Sequence, residues 1–304
     1  MRKTLIAIAA IPALLAASVV KANAQIYSAG QRVDTTMTLD DNGTLRVSVY
    51  AGRVNVTGTS GNKVHIKGTV SSGEMEIRSR YSTVTVNMDE NPSRSRAELD
   101  ISVPTGTSVI VEGFSAAFTV RGVKGDAKLE ALSGDIQVSD AVGDVSVETV
   151  SGDISLSNIK GNARAEAVSG IVTVAGIDGD VEAESVSGRV SITEAKSKSV
   201  RAETVGGSIT YVGTIDPTGN YVLKTHAGRL TLGIPTNASA TVSLETFSGT
   251  VDSDFPVTLT GKTIRASNES KYEFTIGEGR SRIMLETFSG DIRIQRGTTR
   301  TNQE

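Results

Sequence analysis

The 304-residue sequence contains no cysteine, no tryptophan and only two histidines, and its aromatic residues amount to 4%. The absence of cysteine excludes disulfide bonds, thiolate zinc sites, cysteine nucleophiles and lipid attachment through cysteine. Two histidines are too few for a histidine-rich metal centre. Hydrophobic residues nevertheless make up 38% of the chain, and there are 31 glycines. This apolar share is ordinary for a globular protein and argues against wholesale disorder.

The N-terminus has the three parts of a secretory signal peptide. Arg2 and Lys3 form a short basic start, residues 4–20 are almost wholly apolar, and residues 22–24 read Ala-Asn-Ala, which suits a cleavage site. The apolar run is short for a transmembrane anchor, the alternative interpretation, and it contains a proline. The sequence therefore predicts a signal peptide over residues 1–24 and an extracytoplasmic protein that is periplasmic, at the cell surface or secreted.

The charge of the mature chain gives no sign of an acidic polymer as partner. Cleavage removes Arg2, Lys3 and Lys21 and no acid, so the formal net charge changes from −3 to −6. No basic patch indicates nucleic acid or an anionic membrane surface. No later apolar run has membrane length, so the mature chain is expected to have no transmembrane span.

The middle of the chain is an internal repeat, which is the most informative feature of the sequence. Ser-Gly pairs recur every 18 residues, and a second glycine series with the same spacing divides each repeat into two halves. Asp follows the glycine in most of them, a combination that is typical of tight turns. The two series are Gly134, Gly152, Gly170 and Gly188, and Gly125, Gly143, Gly161 and Gly179.

The apolar positions within each half-repeat predict short strands with one buried face. One repeat places Val145, Val147 and Val150 in its first half and Ile154, Leu156 and Ile159 in its second. The step of two residues is that of a β-strand, and the step of three to the last apolar position indicates a bend. We therefore expect Val150 and its equivalents Val168 and Val186 to lie in the core. Strands this short are stable only when each pairs with its copy one repeat later.

These features predict an all-β fold, a single-stranded β-solenoid (β-helix) with about 18 residues per coil and an irregular N-terminal β cap. The predicted division is a signal peptide at 1–24, N-terminal coils and cap at 25–112, and the regular solenoid at 113–296. Inserts near 212–238 and 252–281, which contain three of the six prolines, are expected to be loops or hairpins outside the coils. Residues 297–304 are polar and are predicted to be a disordered tail.

The repeat resembles the putative-adhesin family of bacterial β-strand-repeat domains of unknown function. The segments that carry the resemblance are 151–156 (Ser-Gly-Asp-Ile-Ser-Leu) with its copies, the strand ends 101–104 and 232–235, and 286–292, which resembles the closing coil of the family. The resemblance covers nearly the whole mature chain. It implies a cell-envelope or surface protein with a β-solenoid fold, and it brings no established catalytic residue.

A search for catalytic or metal-binding groups assigns none. His65 stands between apolar neighbours and is expected to face outward, whereas His226 occupies the last apolar position of its repeat and is expected to pack near Phe247 at the core or its boundary. The Gly-Asp repeat is too sparse for a calcium-binding β-roll, so aspartate is read as a turn residue. A polysaccharide-cleaving site would need aromatic platforms or clustered carboxylates with arginine. The sequence thus predicts no catalytic residue, no cofactor and no metal.

One set of acidic residues recurs at an outward position of each repeat. It consists of Glu130, Glu148, Glu166, Glu184 and Glu203. Lys224 interrupts the series, and Glu245 and Glu286 are candidates to continue it. The series is interpreted either as a solvated polar edge or as a surface acidic ladder that binds cations or a partner. Lys128, Arg164 and Arg201, each two residues before a member, are expected to offset the repulsion between carboxylates.

The function that these observations favour is a secreted, non-enzymatic β-solenoid that acts as a cell-envelope scaffold or an adhesin-like binding module. Envelope proteins or surface glycans are the partners that such a role implies. Two alternatives stay open from the sequence. The first is a polysaccharide-active β-helix enzyme, which needs a cleft with converging carboxylates, and the second is an envelope stress sensor or partner-binding domain.

Overall fold

The computed structural model describes residues 23–88, 95–256, 259–264 and 270–297, and its regular structure is entirely β-strand. Within these ranges, twenty-six strands join in one mostly parallel sheet that winds in a solenoid-like manner. No helix in the described ranges is long and apolar enough to cross a membrane. Most of the predicted signal peptide and the predicted tail beyond Gly297 lie outside the described residues.

The strands form two stacks, because each repeat contributes one strand before its Ser-Gly turn and one strand after it. In the middle of the chain the odd-numbered strands make the first stack and the even-numbered strands the second. Val145 pairs with Ala163 and Ile154 with Val172, so paired residues are 18 apart in both stacks. These strands are β9 (Ala127–Ser133), β10 (Ile136–Val142), β11 (Val145–Ser151), β12 (Ile154–Lys160), β13 (Ala163–Ser169), β14 (Val172–Asp178), β15 (Val181–Ser187), β16 (Val190–Ala195), β17 (Ser199–Thr204) and β18 (Ile209–Gly213).

The N-terminal part closes one end of both stacks. Its strands are β1 (Asn23–Ser28), β2 (Arg32–Thr38), β3 (Thr44–Thr59), β4 (Lys63–Ser72), β5 (Glu74–Arg80), β6 (Thr83–Met88), β7 (Arg96–Pro104) and β8 (Ser108–Arg121). The long strands β3 and β8 pair in parallel and extend across both stacks. Beyond β3, the pairs β5–β6 and β4–β7 are antiparallel, and β1 and β2 are the outermost strands. The change to antiparallel pairing ends the repeat and leaves only short strands at this edge.

At the C-terminal end the coils do not stack in the order of the sequence. The strands are β19 (Asn220–Ala227), β20 (Leu230–Ile234), β21 (Ala240–Ser248), β22 (Val251–Ser253), β23 (Leu259–Ile264), β24 (Ser270–Ile276), β25 (Ser281–Ser289) and β26 (Ile292–Arg296). The last coil, β25–β26, lies between the coils β19–β20 and β21–β22. The segment that resembles the closing coil of the family is therefore an inner coil. The antiparallel strands β24 and β23 cover β21 at this end.

Burial of apolar side chains explains why the last coil lies between the two coils that precede it in the sequence. Both coils carry Glu-Thr-Phe-Ser-Gly, at 245–249 and 286–290, so their turns are equivalent. Their following strands differ, because Ile292 and Ile294 are fully buried beside Leu230 and Leu232, whereas β22 offers a partly exposed valine and a serine at these positions. The more apolar strand takes the inner position, where it buries more surface.

The two predicted inserts have different structures. Most of 212–238 belongs to the stacks, because β19 and β20 pair in parallel with their neighbours. This stretch therefore differs from the expected insert, and its prolines fall in the short connections around these strands. In the second stretch, 252–281, the strands β23 and β24 pair in antiparallel fashion, and β24 also pairs with β21 of the sheet.

The last apolar position of the first half-repeat is exposed, contrary to the prediction. Val150 is 44% exposed, Val168 44% and Val186 48%, and the residues before them, such as Thr149, are buried instead. The strand alternates without a bend up to the glycine turn, so every second residue faces inward. The prediction holds in the second half-repeat, where Asn158 has a φ of 55° and shifts the buried position to Ile159.

The aspartates after the glycines bond to the next coil. Asp135 Oδ1 accepts a hydrogen bond from the backbone N–H of Asp153 at 3.0 Å, and Asp153 Oδ1 accepts one from Ile171 at 2.8 Å. In the second series Asn162 Oδ1 accepts from the N–H of Asp180 at 3.1 Å, so asparagine serves equally well. These bonds satisfy turn amides that have no strand partner. They occupy one oxygen of each aspartate in a structural role.

Circular dichroism checks the overall fold. Far-ultraviolet spectra of residues 25–304 are expected to show β-structure with little helix, because every described element is a strand. A helical fraction above about a fifth would contradict the fold, since the residues outside the described ranges are too few to supply it.

Candidate functional site

The outward face of the first stack carries a continuous row of acidic side chains, which we call the glutamate ladder. Pairing in register brings together the five glutamates that the sequence singles out. It also adds Glu112 at one end, and Lys224, Glu286 and Glu245 at the other. Sequence reasoning missed Glu112 because β8 lacks the Ser-Gly turn, although its strand has the same alternation. In spatial order the ladder is Glu112, Glu130, Glu148, Glu166, Glu184, Glu203, Lys224, Glu286 and Glu245.

Basic side chains on the same strands pair with several members of the glutamate ladder. Lys128 Nζ lies 2.6 Å from Glu130 Oε1, and Arg164 pairs with both Glu166 and Glu182. These contacts are largely exposed, so each contributes little to stability. Arg201 bridges the next two members, at 2.9 Å from Glu203 and 3.5 Å from Glu184. Glu148 has no ion pair among the described residues.

The pKa values of two ladder groups shift for different reasons. The hydrogen bond with Glu130 raises the pKa of Lys128, because it favours the charged ammonium. Desolvation raises the pKa of Glu166, and the neighbouring carboxylates Glu148 and Glu184 add to the rise, while Arg164 opposes it. At the centre of the ladder, Arg164 therefore offsets only part of the repulsion between neighbouring carboxylates.

A second row of exposed side chains runs beside the first, two residues further along each strand. We call it the apolar ladder. Its apolar members are between 41% and 53% exposed, which is unusual for a contiguous row of large hydrophobic residues. Sequence reasoning missed it because Val150 and its equivalents were assigned to the core, although strict alternation from Val145 onward indicates the outward face. In spatial order it consists of Phe114, Leu132, Val150, Val168, Val186, Val205, His226, Phe288 and Phe247.

Aromatic rings stack at the C-terminal end of the apolar ladder. The ring centroid of His226 lies 4.8 Å from that of Phe288, which lies 4.9 Å from that of Phe247, and the three ring planes are nearly parallel. His226 is exposed and is not the core or boundary residue that the sequence predicted. Its direct neighbour is Phe288 rather than Phe247, because the last coil is inserted between them. At the other end of the ladder, Tyr50 stacks on Phe114 at 4.8 Å.

The two ladders are the walls of a shallow groove that runs from Glu112 to Phe288. The residues between the walls are small, namely Gly113, Ala131, Thr149, Ala167, Ser185, Thr204 and Thr225. Their side chains are short or point into the core, so only strand backbone separates the two walls. Because coils repeat at about 4.8 Å, the groove extends over about 34 Å and offers a carboxylate and an apolar contact at each step except that of Lys224 and His226.

The two histidines lie in different parts of the fold, and only His226 lines the groove. His65 lies on β4 in the antiparallel N-terminal part, where its Nε2 is 2.7 Å from Asp34 Oδ1. This hydrogen bond lowers the pKa of Asp34. The other histidine, His226, is on β19 in the parallel stacks. Within the described ranges no group of three histidine, aspartate or glutamate residues is placed to hold a metal ion.

The family model for Toastrack DUF4097 matches residues 23–295, almost the full length of the described structure. The chain belongs to the Toastrack DUF4097 family. The resemblance drawn from the repeat is thereby confirmed, and the family has no established function. No enzymatic family is indicated for this chain. No curated protein matches it.

Two crystal structures are similar to this Toastrack chain at low sequence identity. One is described as a putative cell adhesion protein from Clostridium sporogenes, with 11% identity and a TM-score of 0.27, and the match covers 88% of this chain and 100% of the other. The second is described as a putative adhesin from Bacteroides fragilis, with 10% identity and a TM-score of 0.40 over 87% of this chain and 97% of the other.

Removal of one central carboxylate tests whether the glutamate ladder is a cation site. We expect Glu166→Gln to leave the melting temperature unchanged or slightly higher at pH 7, because the raised pKa means that the ionised form is disfavoured in the fold. Any gain should shrink as the pH falls through this pKa, since the wild-type carboxyl is then neutral too. Thermal unfolding at several pH values measures both effects.

Calcium provides the control for the same variant. If the ladder is a solvated edge, millimolar calcium leaves the melting temperature of the wild type unchanged. A calcium-dependent rise that Glu166→Gln abolishes would instead identify the ladder as a cation site.

Proposed function

We propose that this protein is a secreted, non-enzymatic β-solenoid, with one coil per about 18 residues, that acts as an adhesin-like binding module of the cell envelope. The observation that carries the proposal is the apolar ladder. A row of valines and phenylalanines exposed by 41–53% has no role in the core, and contiguous exposed apolar surface is typical of interaction sites. The adjacent carboxylates place negative charge along one side of this surface, which a ligand can recognise.

The proposed location follows from the N-terminal sequence. Export with cleavage after Ala24 would leave Gln25–Ser28 of β1, whose register partners are residues 74–77 of β5. We propose the organisation in which 25–112 caps the solenoid and 113–296 forms its body. N-terminal sequencing of the protein recovered from a periplasmic or surface fraction is expected to begin at Gln25. Recovery of the uncleaved chain in the cytoplasm would contradict the proposal.

Cosedimentation with isolated cell envelopes tests the binding role. The purified mature protein is expected to pellet with envelopes, and the double variant Val168→Asp/Val186→Asp is expected to lose most of this binding. Both positions are exposed, so the variant should keep the wild-type circular dichroism spectrum. Val142→Asp is the matched control, because Val142 is 41% exposed on β10 in the second stack, away from the apolar ladder.

Two results would contradict the proposed function. The first is an absence of envelope binding by the folded wild-type protein. The second is equal binding by the wild type and the double variant, which would show that the groove is not the binding surface.

A further inference from the structure

The width of the groove favours a linear occupant over a second copy of the chain. The apolar ladder has nine members at intervals of about 4.8 Å, so it extends over about 38 Å. With its glutamate wall it forms a strip about 10 Å wide, which offers on the order of 400 Å² for contact. A stable protein dimer buries about 800 Å² on each partner. A narrow polymer that lies along the strip would use all of the available surface.

The backbone of the groove has no free hydrogen-bonding edge. Its strands, such as β11, β13 and β15, are paired on both sides, so their N–H and C=O groups are taken up by neighbouring coils. A peptide in β conformation binds by adding to an edge, and on this face its own polar groups would find no partners. A polyproline II segment avoids this difficulty, because its backbone is solvated and its prolines carry no N–H.

The repeat of the groove matches that of polyproline II. This helix has three residues per turn and a rise of about 3.1 Å, so equivalent side chains recur every 9.3 Å or so. Two coils of the protein span about 9.6 Å. Every third residue of a bound segment would therefore meet an equivalent position on every second coil. In a β-strand the equivalent side chains recur at about 6.8 Å, which fits neither one coil nor two.

The negative charge of the glutamate wall favours a basic residue at every third position of a bound polyproline II segment. In the region 128–203 the outward side of the first stack carries six acids, Glu130, Glu148, Glu166, Glu182, Glu184 and Glu203, against three bases, Lys128, Arg164 and Arg201. Glu148 has no ion pair within the described ranges, and Glu184 shares Arg201 with two other carboxylates. Cationic side chains of a ligand would complete this set, while its prolines pack on the apolar wall.

We propose that the groove binds a proline-rich segment in polyproline II conformation with lysine or arginine at every third residue. The inference rests on the proposed function, since it names the ligand class of the same surface. About twelve residues would occupy the full length of the apolar ladder at the rise of this helix. Equivalent side chains of the ligand would then contact every second coil.

Synthetic peptides test the proposal directly. The probe is a twelve-residue peptide of four Pro-Pro-Arg repeats, and binding to the mature protein is measured by isothermal titration calorimetry at 0.15 M salt. Peptides of four Gly-Ser-Arg repeats, with the same charge but no preformed helix, and of four Pro-Pro-Glu repeats, with the opposite charge, are the controls. We expect both controls to bind at least tenfold more weakly than the probe.

Variants of the two walls locate the binding. Val168→Ser removes a central apolar contact and Glu148→Gln removes an unpaired carboxylate, and each is expected to weaken binding of the probe at least fivefold. Val142→Ser, on the second stack, should leave the affinity unchanged. Equal binding of the Pro-Pro-Arg and Gly-Ser-Arg peptides, or unchanged affinity in both wall variants, would overturn the proposal.

The outcome can be separated from that of the proposed function. If the probe does not bind but envelope binding still depends on Val168 and Val186, the groove is a binding surface for another polymer, such as a glycan. In that case the ligand class is wrong and the adhesin-like role stands. If envelope binding is also independent of these valines, both proposals fail.

Discussion

Replacing Ile154 with aspartate is expected to destabilise the protein by more than about 3 kcal/mol, the largest effect that we anticipate for one substitution. Ile154 is 1% exposed and packs in the second stack between Ile136 and Val172 of the neighbouring coils. A carboxylate there would lose its hydration without gaining a partner. Burial would raise its pKa, so the loss of stability should grow as the pH rises from about 4 to 8. Urea unfolding followed by circular dichroism measures it.

The adjacent position supplies the matched control. Ser155 is partly exposed on the opposite side of the same strand, and Ser155→Asp is expected to change the stability by less than about 1 kcal/mol. Similar destabilisation by the two variants would mean that the assignment of inward and outward faces is wrong.

The second large effect concerns the glycine turns, where adjacent coils approach too closely for a side chain. A Cβ atom at Gly152 would lie 2.2 Å from the carbonyl oxygen of Gly134, and the φ of Gly152 is 154°. Because that oxygen belongs to the backbone, neither coil can move away without breaking the backbone hydrogen bonds between the paired strands. Gly152→Ala is therefore expected to cost at least about 2 kcal/mol in the free energy of unfolding, and Gly152→Val more.

Two other glycines distinguish the effect of the close approach between coils from the effect of the left-handed backbone conformation. At Gly188 a Cβ would lie 1.9 Å from the oxygen of Gly170, but its φ is outside the left-handed region. At Gly61 the φ is 120° and no atom lies within 4 Å of the added carbon. We expect Gly188→Ala to be as damaging as Gly152→Ala, and Gly61→Ala to be milder. The reverse order would show that backbone strain, and not contact between coils, requires glycine.

The sequence alone was sufficient for the central part of the glutamate ladder, from Glu130 to Glu203. Because the glycine turns recur at a constant spacing, residues at equivalent positions must pair when the coils stack, and Glu130, Glu148 and Glu166 are in register for this reason. Alternation along β13 placed Arg164 on the same face as Glu166, two residues away. Periodic spacing determines which residues are neighbours across coils without any knowledge of the core.

The sequence alone was not sufficient for the apolar ladder. A valine at position 150 fits the core as well as Val147 does, and only the path of the strand decides which of them faces outward. The structure shows that the first half-repeat alternates without interruption, whereas Asn158 breaks the alternation in the second. Composition does not reveal this difference, since it depends on where the backbone can turn within the stack.

Length, turn spacing and strand alternation by themselves determined that this protein is a stack of parallel strands with an acidic row on one face. Tertiary structure decided which valines are exposed and in what order the last coils lie. The order follows from competition between two coils with the same turn, in which Ile292 and Ile294 bury more apolar surface than Val251 and Ser253. Such a competition is settled only when both coils meet the same neighbours, β19 and β20, so no local feature of either segment reveals it.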